Sequence, residues 1–186
     1  MRVFRLTVIV GILTLFVQCA SVPLTGRKQV ILLPESEMMQ MSLTSYGDFL
    51  KENKLSTRTD DTRRVKEVGT RIAAAVEAYL KSQGLEKQIE GYQWEFNLVQ
   101  SPEMNAWCMP GGKVVVYEGI LPVCENDDGL AVVMGHEIAH AIARHGNERM
   151  SQQMLIQAGS TAAAYALKEK SETKGIKVKI NSAKNG

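Results

Sequence analysis

The sequence predicts an α+β domain in which helices dominate and a small sheet lies beside one histidine-bearing helix. Three observations lead there. Two long stretches, 35–53 and 60–83, repeat apolar residues at helical spacing. The segment 92–100 alternates apolar and polar residues, and a short β-branched run follows at 113–117. An apolar run, Leu130 to Ala143, carries two of the three histidines of the chain, four residues apart. At 186 residues the chain is long enough for one domain with a core and short for two.

The first eighteen residues stand apart. Arg2 and Arg5 make a small positive start, and Leu6 to Val17, "LTVIVGILTLFV", is apolar and uncharged. That stretch is too short to span a bilayer and suits a signal peptide over 1–18. Cys19 follows at once, as in a bacterial lipoprotein whose thiol receives a lipid. The alternative is an ordinary signal peptide or short anchor with a buried cysteine, and Gln18 stands where a small residue is usual. Residues 19–33 then read as a tether between lipid and domain, 34–167 as the domain, and 168–186 as a polar, lysine-rich tail with a short strand at "IKVKI".

Without residues 1–18 the chain balances its basic and acidic side chains, so charge gives no case for binding nucleic acid. Cys108 and Cys124 can form one disulfide in an exported protein or remain two free thiols.

Within the domain, Pro34 suits the start of a helix over 35–53, with Met39, Leu43, Tyr46 and Leu50 on one face. Asp60 and Asp61 favour the N-terminal end of the next helix, and Gly84 ends it. Its apolar face is Val65, Val68, Ile72, Val76, Tyr79 and Leu80. "SPEMNAWCMPGG" reads as a loop, and "KVVVYEG" as a strand over 113–117 whose initial lysine suits a sheet edge. Asp127 or Asp128 can cap a helix running to Gly146, and Asn147 can cap the one after it, to about Leu167. "AGSTAAAYAL" reads as close packing, being too short to span a membrane.

The chemistry sits in "GHEIAH". Residues four apart share a helix face, so His136 and His140 can aim two imidazole nitrogens at one point. Neutral imidazole is a good zinc ligand, and a catalytic zinc keeps one position open for water. Glu137 stands about 100° round the helix from His136, where it can take a proton from that water. A carboxylate in an apolar run needs a partner or a role, because burying it alone costs several kcal/mol. His145 falls off the shared face and reads either as a histidine supporting the ligands from behind or as a helix-end histidine, favourable near the C-terminal dipole.

"GHEIAHAIARHGNERMS", "NAWCMPGGKVVVYEGIL" and "VPLTGRKQ" occur in an order that resembles the zinc metallopeptidases of the HtpX and CAAX prenyl protease type, peptidase family forty-eight, in their exported bacterial lipoprotein branch. The resemblance covers about residues 19–165. It implies a mostly helical, zincin-like metallopeptidase fold with a small sheet beside the histidine helix. It also implies Zn2+ held by His136 and His140, with Glu137 as general base. By the same resemblance, Asn105 and Ala106 lie near the metal, and an edge strand through Val114, Val115 and Val116 holds an extended substrate. The implied protein is a lipoprotein anchored at Cys19, facing the periplasm, that cleaves unfolded or misassembled envelope proteins. The family's third ligand, a glutamate in an E-x-x-x-D motif after the histidines, has no match: the later acids are Glu148, Glu169 and Glu172. The expectation is therefore a chain lacking the C-terminal part of the catalytic domain. Its alternative role is a non-catalytic, peptide-binding relative of the proteases.

Overall fold

The computed structural model describes residues 19–22 and 26–184, with side chains given for 22 and 26–165. The signal peptide expected over 1–18 lies outside the described residues, and the Cys19 side chain outside the described side chains.

The chain divides into two compact units, the first ending at Glu148. That unit opens with a hairpin, β1 (Cys19–Ser21) paired antiparallel with β2 (Lys28–Val30) so that Cys19 stands opposite Val30. Val22 N–H donates to the Arg27 carbonyl and Gly26 N–H to the Val22 carbonyl, while Gly26 takes a φ of 66° at the turn. Val22 and Gln29 are buried. Within the stretch expected as a tether, residues 19–21 and 28–30 pair their main chains. Arg27 then reaches across the chain and donates two hydrogen bonds to Glu148, 2.8 Å to Oε1 and 2.5 Å to Oε2. This forked geometry is the strong form of an ion pair.

Helix α1 (Glu35–Glu52) follows Pro34, and α2 (Thr59–Ser82) begins with Asp60 and Asp61 in its first turn. Both follow the expected spans. The buried face of α1 is Met38, Ser42 and Tyr46, one residue out of step with the expected Met39 and Leu43. The α2 face holds at Val65, Val68 and Leu80, but Tyr79 is exposed and small Gly69 and Ala73 are buried instead.

The sheet has three strands, β3 (Glu95–Val99), β4 (Ala106–Met109) and β5 (Lys113–Tyr117), in spatial order β3-β5-β4. β3 runs parallel to β5, with Glu95 opposite Lys113, and β4 runs antiparallel to it, with Cys108 opposite Val114. Alternation sends Phe96, Leu98, Ala106, Val114 and Val116 to a core shared with α2 and the histidine helix. Val99, Val115 and Tyr117 face the other way, against Tyr46 and Phe49 of α1 and Trp107.

β5 therefore corrects a central expectation. Val114, Val115 and Val116 are 0% exposed on the middle strand, with neighbours on both sides. A strand paired on both edges has no main-chain groups left for a substrate. The edge strands are β3 and β4, the latter drawn from the stretch read as a loop. Lys113, which suggested an edge, is buried because its ammonium is satisfied: Nζ donates to the Gln93 carbonyl (2.8 Å) and to Glu95 Oε2 (3.2 Å). Glu95 Oε1 accepts from the Tyr46 hydroxyl at 2.8 Å and from Asn97 Nδ2 at 3.0 Å, so the carboxylate has partners too.

A short helix, α3 (Leu121–Cys124), leads into α4 (Asp127–Ile142). The cap of α4 is Asn126, whose Oδ1 accepts from Gly129 N–H at 3.0 Å; Asp127 and Asp128 lie in the first turn, where they favour the helix dipole. α4 stops four residues before the expected Gly146. Arg144 takes a φ of 58°, and α5 (His145–Lys184) starts directly after it. Asn147 is not the cap of α5; its Nδ2 donates to the Leu33 carbonyl at 2.9 Å.

The second unit runs from Arg149 and is the continuation of α5. Met154, Leu155 and Ile156 are exposed on it, and of "AGSTAAAYAL" the described side chains, 158–165, are exposed rather than closely packed. The backbone over 176–180 is helical rather than a strand. Among the described residues no helix is long and apolar enough to cross a membrane.

Two predictions follow from these contacts. A Cβ placed on Gly69 would stand 2.3 Å from Phe96 Cδ1 and 2.6 Å from Cε1 and Cγ, so Gly69→Ala forces α2 and β3 apart. A loss of about 1–3 kcal/mol is expected in urea unfolding, the usual cost of overpacking. The second concerns acid. The Arg27 hydrogen bonds hold the Glu148 carboxyl below its ordinary value of 4.5; burial pushes Glu95 up, but its bonds from Tyr46 and Lys113 hold it below that value. Both groups are more acidic folded than unfolded. Their stabilisation is complete above about pH 4.5 and is lost as the pH falls through the folded values. Urea midpoints of the native chain and of Glu148→Gln are expected to differ at pH 7 and to converge towards pH 3.

Candidate metal centre

The last turns of α4 carry the histidine motif. Leu130, Met134, Ile138 and Ala141 are buried and fix the inner face of the helix against the core. The opposite face is open: Val132 is 73% exposed, Gly135 has nothing within 4 Å of a Cβ position, and His136 and Ala139 are exposed. The four-residue spacing sets the His136 and His140 rings edge to face with centroids 4.3 Å apart. Their Nε2 atoms lie 2.8 Å from each other. The fold thus brings the two rings together, as their spacing predicts.

The sequence puts His145 beside the site without fixing what it touches. On a continued helix it would point away from His140. The break at Arg144 turns it back, and its Nδ1 lies 2.5 Å from His140 Nδ1. No periodic signal marks the break, since arginine is an unusual residue for a left-handed φ. Arg144 is held there by Glu35 of α1, at 3.3 Å.

Glu137 is half-buried beside the pair. On the facing strand, burial and then the Glu137 charge push the Cys108 thiol up to about 12. Cys108 is therefore a neutral thiol at physiological pH. Cys108 and Cys124 are both free. Ala106 and Cys108 belong to the β4 face turned to α4, and Asn105, just before the strand, is exposed. Asn105 joins the ladder through its carbonyl, which accepts from Tyr117 N–H at 3.1 Å.

The donor chemistry fits a zinc-like ion at two positions. Two imidazoles converge on an open helix face with the Glu137 side chain alongside. Among the described residues no group of three or more histidine, cysteine or acidic side chains gathers to complete a cage. Glu148 is taken by Arg27, and the side chains of Glu169 and Glu172 lie outside those described.

Comparison with known proteins places the chain in a family. Residues 60–183 match Peptidase family M48. A mitochondrial metalloendopeptidase OMA1 from Schizosaccharomyces pombe is 51% identical over 59 residues, 32% of this chain and 18% of the relative. Metalloendopeptidase OMA1, mitochondrial, from Bos taurus is 28% identical over 134 residues, 72% of this chain and 25% of the relative. A beta-barrel assembly-enhancing protease from Escherichia coli is 37% identical over 60 residues, 32% of this chain and 12% of the relative. The chain thus spans a quarter or less of the length of these relatives. With the matched region covering most of the chain and the paired histidines standing as the motif requires, the chain belongs to Peptidase family M48.

Proposed function

We propose that the chain is a zinc-dependent metalloendopeptidase acting on unfolded or misassembled proteins of the cell envelope. The observation that carries this reading is the convergence of His136 Nε2 and His140 Nε2 at 2.8 Å on the open face of α4. Zinc, when bound, supplies a Lewis acid and lowers the pKa of water towards neutrality. His136 and His140 hold it through their Nε2 atoms. Glu137, one residue along the helix, accepts a proton from the attacking water and passes it to the leaving amine.

The substrate strand lies against β4 rather than β5. Asn105 and Met109 direct their carbonyls at Tyr117 N–H and Gly112 N–H, so the odd residues of this stretch face β5. By the alternation of an antiparallel ladder, the main chain of Ala106 and Cys108 turns to the open edge. An extended peptide adding there gains main-chain hydrogen bonds without regard to its sequence, which suits unfolded clients. Asn105 lies at the end of that edge.

For a third ligand supplied by this chain, Glu169 and Glu172 are the candidates, their side chains lying outside those described. Anchoring through a lipid on Cys19, with export to the periplasm, follows from the N-terminal sequence and joins this proposal, as does the likeness to the HtpX and CAAX prenyl protease type. The relatives are named as proteases, and one is named for enhancing β-barrel assembly, which agrees with envelope clients.

Cleavage of an unfolded protein by the full chain is expected with zinc. It should be abolished by chelator and lowered about 100-fold to 10,000-fold by Glu137→Gln, with the circular dichroism spectrum unchanged. No cleavage by a folded, zinc-loaded chain would favour the non-catalytic peptide-binding role.

A further inference from the structure

Both ring nitrogens of His140 are engaged. Nε2 faces His136 Nε2 at 2.8 Å, and Nδ1 faces His145 Nδ1 at 2.5 Å. An imidazole binds a metal only through a nitrogen that carries no proton, and a neutral ring has one proton to place. If His140 is to ligate through Nε2, that proton sits on Nδ1 and needs an acceptor. The atom opposite Nδ1 is His145 Nδ1.

The fold maintains this contact at some expense. Arg144, a non-glycine residue, takes a left-handed φ of 58° so that α4 ends and His145 swings back towards His140. Glu35 holds the Arg144 guanidinium at 3.3 Å. Glu148, one turn beyond His145, is clamped by both Arg27 hydrogen bonds. The stretch carrying His145 is therefore tied to the N-terminal hairpin and, through Arg144, to α1.

We propose that His145 is a positioning residue: its Nδ1 accepts the Nδ1–H of His140 and so fixes the tautomer that presents His140 Nε2 to the metal. The proposal rests on the metal-binding reading above, and it concerns a histidine outside the paired-ligand motif. Second partners of this kind set ring orientation and ligand basicity in metal sites, and their loss lowers metal affinity about 10-fold to 100-fold.

The decisive experiment is a ring 1H–15N correlation spectrum of the metal-free full chain, histidine-labelled, at a pH above the histidine range. It is paired with zinc affinity from competition with a chromophoric chelator. In the native chain the His140 proton is expected on Nδ1. In His145→Ala that preference should be lost and zinc affinity should fall about 10-fold to 100-fold. In His145→Asn, whose side-chain carbonyl can stand in for Nδ1 as acceptor, both should be largely restored. A native His140 protonated on Nε2 overturns the proposal, as does an alanine variant with unchanged tautomer and zinc affinity. Should the alanine variant fail to fold, the native tautomer and the asparagine variant decide the matter. A native chain that holds the proton on Nδ1 but binds no zinc would sink the metal reading and leave the positioning contact standing.

Discussion

The fold depends on the burial of β5. Its residues from Lys113 to Tyr117 are all buried, with a strand on each side and helices over each face. A strand in that position must satisfy its main chain entirely within the sheet and must lay apolar side chains on both sides. Val114 and Val116 face α2 and α4, and Val115 and Tyr117 face α1. The remaining elements are placed by this requirement. α4 lies on the sheet because its inner face completes the core, and its outer face is left to carry the histidines.

Much of this was legible in the sequence, and the errors have physical causes. α1 and α2 are long, amphipathic and flanked by Pro34 and Gly84, so period and punctuation agreed. The histidine pair was legible because its geometry is local: four residues along a helix, with no dependence on the rest of the fold. β5 was misplaced because its lysine was read alone. Whether Lys113 is exposed depends on Glu95, eighteen positions earlier and brought opposite it only by parallel pairing. A "VVV" run fits a buried central strand at least as well as an edge, and the initial charge was given too much weight. β4 was missed because its four residues carry no alternation strong enough to stand out beside Pro102 and Pro110.

The ends of the site were the least legible. The break at Arg144 has no glycine to announce it, and it is held by a partner from α1 more than a hundred positions away. The N-terminal stretch read as a tether because nothing in its sequence reveals that Arg27 meets Glu148. Both contacts join distant parts of the chain, and both lie near His145. Short-range patterns thus located the histidine pair, while the contacts around it come from long-range pairing.

The strand order has a consequence for how the chain is made. β3 and β4 are synthesised before β5, yet β5 stands between them. Until the ribosome has delivered Tyr117, neither earlier strand has its partner, and each presents an unpaired edge next to apolar side chains. Parallel pairing of β3 with β5 also cannot be closed by a tight turn. The nascent domain therefore passes through an interval in which two sticky strands wait for a third. Its yield in the cell should be governed less by final stability than by what shields those strands during that interval.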